Sequence, residues 1–154
     1  MNHQEVEKFI GQTMESDFRE IRKAWDLLRQ LVEQSRGEHD DTLMTDLSII
    51  GDFLTSRARN HLRLEKRIGA CCTVSHERPR LKGDLRKVEA DYQPLADAIE
   101  QIKAGLDGAR LDTPKSFDEL EARLDNFNSM LLDHAEKGNL FVLDAFNQEI
   151  GQSD

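Results

Sequence analysis

Residues 85–106, LRKVEADYQPLADAIEQIKAGL, carry an apolar side chain at alternating intervals of three and four positions. This spacing follows the turn of an α-helix and places the apolar side chains along one face. The face consists of Leu85, Val88, Tyr92, Leu95, Ile99, Ile102 and Leu106. The stretch therefore predicts an amphipathic helix that buries one side against other helices. Pro94 lies inside it and leaves the carbonyl of Ala90 without its helical donor, so we expect a kink there and not an end.

Helical spacing also dominates the rest of the chain, and strand-like alternation of apolar and polar residues is nearly absent. Breaks at Gly37, around Pro79 and over residues 105–114 divide the 154 residues into four predicted helices. These helices cover about residues 5–34, 42–72, 80–105 and 116–149. Four helices joined by short connections predict one domain, an all-α, up-down-up-down four-helix bundle over residues 1–154.

The ends of the predicted helices carry recognisable signals. We expect Gly37 to end the first helix in a left-handed conformation, which glycine adopts without strain. Residues 40–42, DDT, are good capping residues for the second helix. Ser116 and Glu119 have the spacing of a capping box at the start of the fourth helix.

The charge balance excludes several classes of function. The chain carries 21 Lys and Arg against 30 Asp and Glu, a net charge of −9, which argues against nucleic-acid binding. Residues 1–10 lack the pattern of a secretory signal, and no apolar run approaches the ~18–20 residues that span a bilayer. The adjacent Cys71 and Cys72 form no disulfide framework and suit a reducing compartment. The sequence therefore predicts a cytoplasmic protein that does not bind membranes.

Two histidines occupy predicted core positions where aliphatic residues are expected. His61 lies seven residues after Leu54 and seven before Ile68, which are both apolar positions on the predicted buried face. His134 lies three residues after Leu131. Glu65, one turn after His61, completes an H-x-x-x-E step on the same side. A buried imidazole needs a hydrogen-bond partner or a metal ion, because an unmet polar group costs about 1–3 kcal/mol. Three interpretations stay open. These groups satisfy one another, with His134 bonded to Tyr92 or a carbonyl; they bind Fe, Mn or Zn; or they serve another ligand or a catalytic role.

Several stretches resemble the hemerythrin-like (HHE cation-binding) family, over about residues 14–146. Residues 17–22, DFREIR, are similar to the DHREIR stretch that carries a ligand histidine on the family's first helix. Residues 61–65 match the family's H-x-x-x-E, and residues 134–141, HAEKGNLF, are similar to its H-x-x-K-E-N followed by Leu-Phe. Residues 91–92, DY, lie where the family has an Asp/Glu-His pair. The resemblance implies a four-helix bundle of the hemerythrin-like fold, built around a non-haem di-iron centre.

The chain departs from the family pattern at three ligand positions. Phe18 and Tyr92 stand where the family has histidines, and Gly138 stands where it has a glutamate. The resemblance therefore implies a depleted site that binds at most one iron or other divalent ion, or none, in a sensor or regulatory module. The predicted metal ligands are His61, Glu65, His134 and Tyr92. The simplest packing role for Gly138 is a close contact with a large aromatic such as Trp25.

A second hypothesis is a metal-free helical regulator that acts by binding another protein. Anti-sigma regulators of the bacterial housekeeping sigma factor are acidic helical bundles of similar length, and residues 140–145, LFVLDA, look somewhat like their ends. An acidic surface predicts salt-sensitive association with a basic partner. Apolar positions outside the seams, such as Leu27, Ile49 and Leu132, could instead support a homo-oligomer. Neither hypothesis is enzymatic, because no nucleophile or substrate-orienting cluster accompanies the His–Glu pair.

Overall fold

The computed structural model of the protein describes residues 3–37, 40–71, 79–107 and 113–152. Within these ranges the chain forms five α-helices and no strand. They are α1 (His3–Gly37), α2 (Asp41–Cys71), α3 (Pro79–Glu89), α4 (Tyr92–Asp107) and α5 (Pro114–Gln152). Each predicted helix is present with its ends displaced by a few residues, and the third is divided in two. Some predicted positions lie outside the described side chains: Ile68, Cys71, Cys72, Leu81 and residues 139–152.

The connection between α1 and α2 contains one confirmed cap and one wrong expectation. Asp40 accepts a hydrogen bond of 2.8 Å from the backbone N–H of Thr42, so it is the N-cap of α2, as predicted. The left-handed glycine expected at the end of α1 is wrong. Gly37 belongs to α1, and no described glycine has a positive φ. The right-handed helix therefore includes Gly37.

Pro94 interrupts the third helical rod, and the expectation of a kink without an end is wrong, because the rod is divided into two helices. A two-residue turn, Ala90–Asp91, separates α3 from α4. The N–H of Leu95 donates to the carbonyl of Asp91 at 2.9 Å, so Asp91 is the N-cap of α4. Pro94 lacks the N–H that a continuous helix would donate to the carbonyl of Ala90. The proline thus converts Asp91 from a mid-helix residue into a helix N-terminus.

The start of α5 differs from the predicted capping box. Thr113 is the cap: its Oγ1 accepts from the N–H of Ser116 at 3.2 Å, and the hydroxyl of Ser116 donates to the Thr113 carbonyl at 2.8 Å. The pair Ser116–Glu119 is therefore wrong as the capping box, since Ser116 already lies inside the helix. Pro114 explains the earlier start, because its fixed φ and missing N–H suit the first position of a helix.

The helices close into a bundle around one core. α1 packs on α2, α2 on α4, α4 on α5 and α5 back on α1, while α3 packs on α5. Consecutive rods are therefore neighbours, as short connections between helices require. The fully buried large side chains are Ile21, Leu28, Val32, Leu47, Leu54, Leu95, Ile99, Ile102, Leu120, Leu124 and Phe127. Among the described helices, none combines the length and the apolar character that a membrane span needs.

Two details of the predicted packing are wrong. On α2 the spacing also predicts that Leu64, three residues after His61, is buried; instead Leu62 is buried and Leu64 is half-buried, because α2 packs between α1 and α4 and its buried face is rotated. The expected contact between Gly138 and Trp25 is absent: a Cβ at Gly138 would meet no atom within 4 Å. The indole N–H of Trp25 instead donates to the carbonyl of Leu124 at 2.8 Å, which ties α1 to an earlier turn of α5.

Candidate functional site

His61 and Glu65 lie one turn apart on α2 and face the interior of the bundle. Residues four apart on a helix share one face, so their side chains can meet. Nε2 of His61 lies 2.9 Å from Oε1 of Glu65, and the side chain of Glu65 is only 12% exposed. The H-x-x-x-E step found in the sequence is therefore a contacting pair inside the core.

His134 on α5 reaches the same carboxylate from across the bundle. Its Nε2 lies 2.6 Å from Oε2 of Glu65, and its Nδ1 lies 2.9 Å from Oδ2 of Asp91. An ionised carboxylate only accepts hydrogen bonds, so both ring nitrogens must donate and the ring is an imidazolium. Burial by itself would lower the pKa of His134, but the hydrogen bonds to Glu65 and Asp91 raise it above its usual value. The two inward histidines, 5% and 3% exposed, thus meet through one shared carboxylate.

Asp91 reaches His134 because the third rod is broken. As the N-cap of α4 it lies at the positive end of the helix dipole, which favours its ionised form. An N-cap carboxylate often accepts from the N–H at the third helical position, but Pro94 occupies that position and has no N–H. The carboxylate turns to α5 instead, where its Oδ1 accepts from Lys137 at 3.0 Å. Burial would raise the pKa of Asp91, yet His134 and Lys137 together lower it.

Asp17 on α1 belongs to the same group of contacting side chains. We call this group the histidine layer; it consists of Asp17, Arg57, His61, Glu65, Asp91, His134 and Lys137. Oδ1 of Asp17 lies 2.9 Å from Nε of Arg57, and its Oδ2 lies 3.5 Å from Nδ1 of His61. The longer distance is beyond an ordinary hydrogen bond, so Nδ1 of His61 is buried without a close partner among the described residues. Sequence reasoning quoted Asp17 within DFREIR but did not assign it a role. A search for apolar residues at helical spacing selects Phe18 and does not select the acidic residue next to it.

Tyr92 does not join the hydrogen-bond network in the way a metal ligand would. Its ring packs edge-on against the ring of His134, with centroids 5.6 Å apart and planes at 65°. Burial raises the pKa of the Tyr92 phenol well above its usual value, and the negative charge of Glu65 raises it further. Both influences oppose tyrosinate formation. The position of Tyr92 therefore indicates a packing role beside His134.

One proton balances the charge of the layer. Its other ionised groups are the carboxylates of Asp17, Glu65 and Asp91 and the cations Arg57 and Lys137. If the exposed Asp133, which shares Lys137, is left aside, the protonated His134 supplies the one positive charge that these groups lack. Burial would raise the pKa of Glu65, but hydrogen bonds with His134 and His61 lower it to about 2. The interior thus holds an ionised carboxylate between two imidazoles, neutralised by a proton.

The donor atoms suit a transition metal, although their arrangement does not yet hold one. Among the residues that the structure describes, no three His, Cys, Asp or Glu side chains lie where they could bind an ion together. The Glu65 carboxylate fills the space between the histidines, at hydrogen-bond distances of 2.6 and 2.9 Å from their Nε2 atoms. Imidazole–metal bonds are about 2.0–2.1 Å. Binding would therefore require the carboxylate to turn and the proton to leave His134.

Three of the four predicted ligands, His61, Glu65 and His134, come together in the structure, while Tyr92 touches His134 only through its ring. The sequence analysis quoted the two aspartates that flank the histidines, Asp17 and Asp91, but gave neither of them a role. The chain matches no protein-family model, no curated protein and no solved structure. Its function must therefore be argued from the site itself.

Proposed function

We propose that this protein is a helical-bundle module that binds a single divalent transition metal ion, with iron as the first candidate, on His61, Glu65 and His134. The observation that carries the proposal is the orientation of the two buried imidazoles. Nε2 of each ring is directed to the shared Glu65 carboxylate, while Nδ1 of His134 is hydrogen-bonded to Asp91 and Nδ1 of His61 lies 3.5 Å from Asp17. Metal-ligating histidines are held in this way, with one nitrogen toward the ion and the other toward a carboxylate.

The flanking carboxylates support one ion and not a di-iron pair. Asp17 is paired with Arg57, and Asp91 is paired with Lys137. A second dication at either aspartate would have to displace the side chain of a lysine or arginine. Phe18, at a position where the resembled family has a ligand histidine, is packed against the core. An oxygen-carrying di-iron centre is therefore not part of this proposal.

The proposed role is sensing or regulation, without catalysis. An ion bound between His61 and His134 would join α2 to α5, and it supplies Lewis-acid charge at the centre of the bundle. The chain's own residues do the rest: Asp91 orients the ring of His134, and Glu65 provides the anionic ligand. Because the His134 proton must leave, metal affinity should rise with pH. A bundle whose central layer exchanges a proton for a metal ion is suited to report metal supply.

Metal analysis tests the proposal. Protein purified from iron-supplemented cells, and apoprotein titrated anaerobically with Fe(II) and with Zn(II), is expected to bind about one equivalent. His61→Ala and His134→Ala should abolish binding while circular dichroism shows that the helices remain. Tyr92→Phe is the matched control, since it keeps the ring that packs on His134 and removes only the hydroxyl; its metal content should be unchanged.

Two results would overturn the proposal. Less than about 0.1 equivalent of metal, unchanged by His61→Ala, would show that the layer does not bind ions. Two equivalents accompanied by a visible absorption band of a bridged di-iron centre would show that the site is not depleted. A tyrosinate absorption band lost in Tyr92→Phe would contradict the packing role given to Tyr92.

A further inference from the structure

A shallow groove of about 260 Å³ lies between α1 and α2, away from the histidine layer. Its apolar lining comes from Leu27 and Leu31 on α1 and from Ile49 and Ile50 on α2. Along α2, Ile49 is twelve residues before His61, a separation of about 18 Å at the helical rise of 1.5 Å per residue. The groove is therefore a feature separate from the proposed metal site.

The groove exposes large aliphatic and aromatic side chains on a highly charged protein. Leu27 is 41% exposed and Ile49 is 59% exposed. Phe53, one turn after Ile49, is 41% exposed and extends the same strip along α2. Three of the five exposed large hydrophobic side chains of the described residues thus lie on this face. Clusters of this kind on a soluble protein mark surfaces that contact another molecule.

The shape of the groove fits a helix better than a small molecule. Leu27 and Leu31 repeat at one-turn spacing on α1, and Ile49 and Phe53 do so on α2, so the groove has two apolar ridges along its length. An amphipathic helix lays anchors of the same spacing into such a groove. Small-molecule sites are concave and usually about 300–1,000 Å³, and this groove is smaller.

The charged residues around the groove indicate which charge a partner should carry. From position 41 to 56, α2 carries Asp41, Asp46 and Asp52 and no Lys or Arg, and Asp46 lines the groove itself. In the described part of the chain none of these aspartates forms an ion pair. Two cations of α1 near this level, Arg29 and Arg36, pair with carboxylates of α5. The α2 side of the groove is therefore acidic up to position 56, and the next residue, Arg57, lies over the ring of Phe53 and pairs with Asp17.

The same charges argue against a second copy of this chain as the occupant. A copy would bring another net charge of −9 and another set of the same aspartates to the contact. Like charges placed together at an interface oppose association. A helix with basic residues beside its apolar stripe would instead bring positive charge to these aspartates, so its association would not be opposed by like charges.

We propose that the groove between α1 and α2 is a docking site for an amphipathic helix of another protein, with apolar anchors at one-turn spacing and Lys or Arg residues along the edge that faces α2. The anchors would cover Leu27, Ile49 and Phe53, and the basic edge would meet Asp46 and Asp52. This inference does not depend on whether the histidine layer binds a metal ion.

Designed peptides test the proposal with the full chain. Two fluorescein-labelled 18-residue amphipathic helices share one Leu stripe and differ only in flanking residues, Lys in one and Glu in the other. We expect fluorescence anisotropy at low salt to show at least tenfold tighter binding of the Lys peptide, with the preference shrinking at high salt. The double variant Leu27→Ser/Ile49→Ser should weaken this binding at least tenfold. Asp46→Lys/Asp52→Lys should favour the Glu peptide.

Leu132→Ser is the matched control, because Leu132 is 45% exposed on α5 and lies outside the groove. It should change the affinity for the Lys peptide less than twofold. Equal binding of the two peptides, no binding of either, or an equal loss in Leu132→Ser would overturn the proposal. A dimer in sedimentation velocity that Leu27→Ser/Ile49→Ser dissociates would also overturn it, since a second copy would then occupy the groove.

Discussion

Replacing His134 with leucine removes the side chain that hydrogen-bonds to two buried carboxylates at once. The side chains of Glu65 and Asp91 are only 12% and 19% exposed, so water cannot replace the lost cation fully. Removing one partner of a buried ion pair costs about 3–5 kcal/mol. The whole lowering of the pKa of Glu65 from 4.5 to about 2 corresponds to about 3 kcal/mol, at about 1.4 kcal/mol per pKa unit. Burial opposes this lowering and His61 also contributes to it, so it is not the share of His134 alone. We expect His134→Leu to lower the free energy of unfolding by about 3 kcal/mol near pH 6.

A double-mutant cycle separates the charge effect from the loss of packing. In Glu65→Leu/His134→Leu both charges are gone, and replacing a buried ion pair by apolar side chains is often close to neutral. We expect the double variant to lie within about 1–2 kcal/mol of the unaltered protein, which makes the coupling energy at least about 2 kcal/mol. Asp133→Asn is the control: it removes an exposed partner of Lys137 and should change stability by less than about 0.5 kcal/mol.

Urea unfolding measures these differences with two probes. Circular dichroism follows the helices, and the fluorescence of the single tryptophan, Trp25, follows the contact between α1 and α5. Coincident transitions justify a two-state extrapolation to water. Additive single-variant effects, each below about 1 kcal/mol, would refute the conclusion that His134 and Glu65 form a coupled buried pair.

Three further predictions concern pH, the helix break and Gly138. Because the pKa of Glu65 is lowered in the folded protein, its ionised form stabilises the fold above pH 4.5, and this stabilisation is lost as the pH falls toward 2. Because the pKa of His134 is raised, its protonated form stabilises the fold below pH 6.5, and this stabilisation is lost as the pH rises through the pKa of the folded protein. The urea midpoint should therefore be highest between pH 4.5 and pH 6.5. Pro94→Ala should close the turn at Asp91 into continuous helix and lower the pKa of His134 in an NMR titration. Gly138→Ala should raise the free energy of unfolding by about 0.5–1 kcal/mol, because its Cβ meets no neighbour.

Each of these predictions has a contradicting result. A urea midpoint that rises steadily from pH 6.5 to pH 9 would show that His134 is not stabilised as a cation. An unchanged titration of His134 in Pro94→Ala would mean that the break does not position Asp91. A loss of stability in Gly138→Ala would show that the space beside Gly138 is filled.

Most of the helical architecture follows from local spacing. The apolar repeat over residues 85–106 predicts the rod that α3 and α4 form. Pro94 predicts a distortion of this rod, because a missing N–H acts within one turn, but the division into two helices exceeds the predicted kink. The wrong local details include the end at Gly37, the helix expected to continue through Pro94 and the box at Ser116, where several local solutions have similar energies. Which one prevails depends on neighbours that a short stretch of sequence does not contain.

The amino-acid sequence alone determined that His61, Glu65 and His134 belong in the interior, because helical periodicity assigns each of them to a face. Only the tertiary structure decided that one carboxylate lies between the two imidazoles, and that Asp17 and Asp91 stand behind them. Periodicity has a range of a few residues, whereas these contacts join residues far apart in the chain. Their distances depend on how the rods rotate and slide against one another, and that is set by the packing of the whole core.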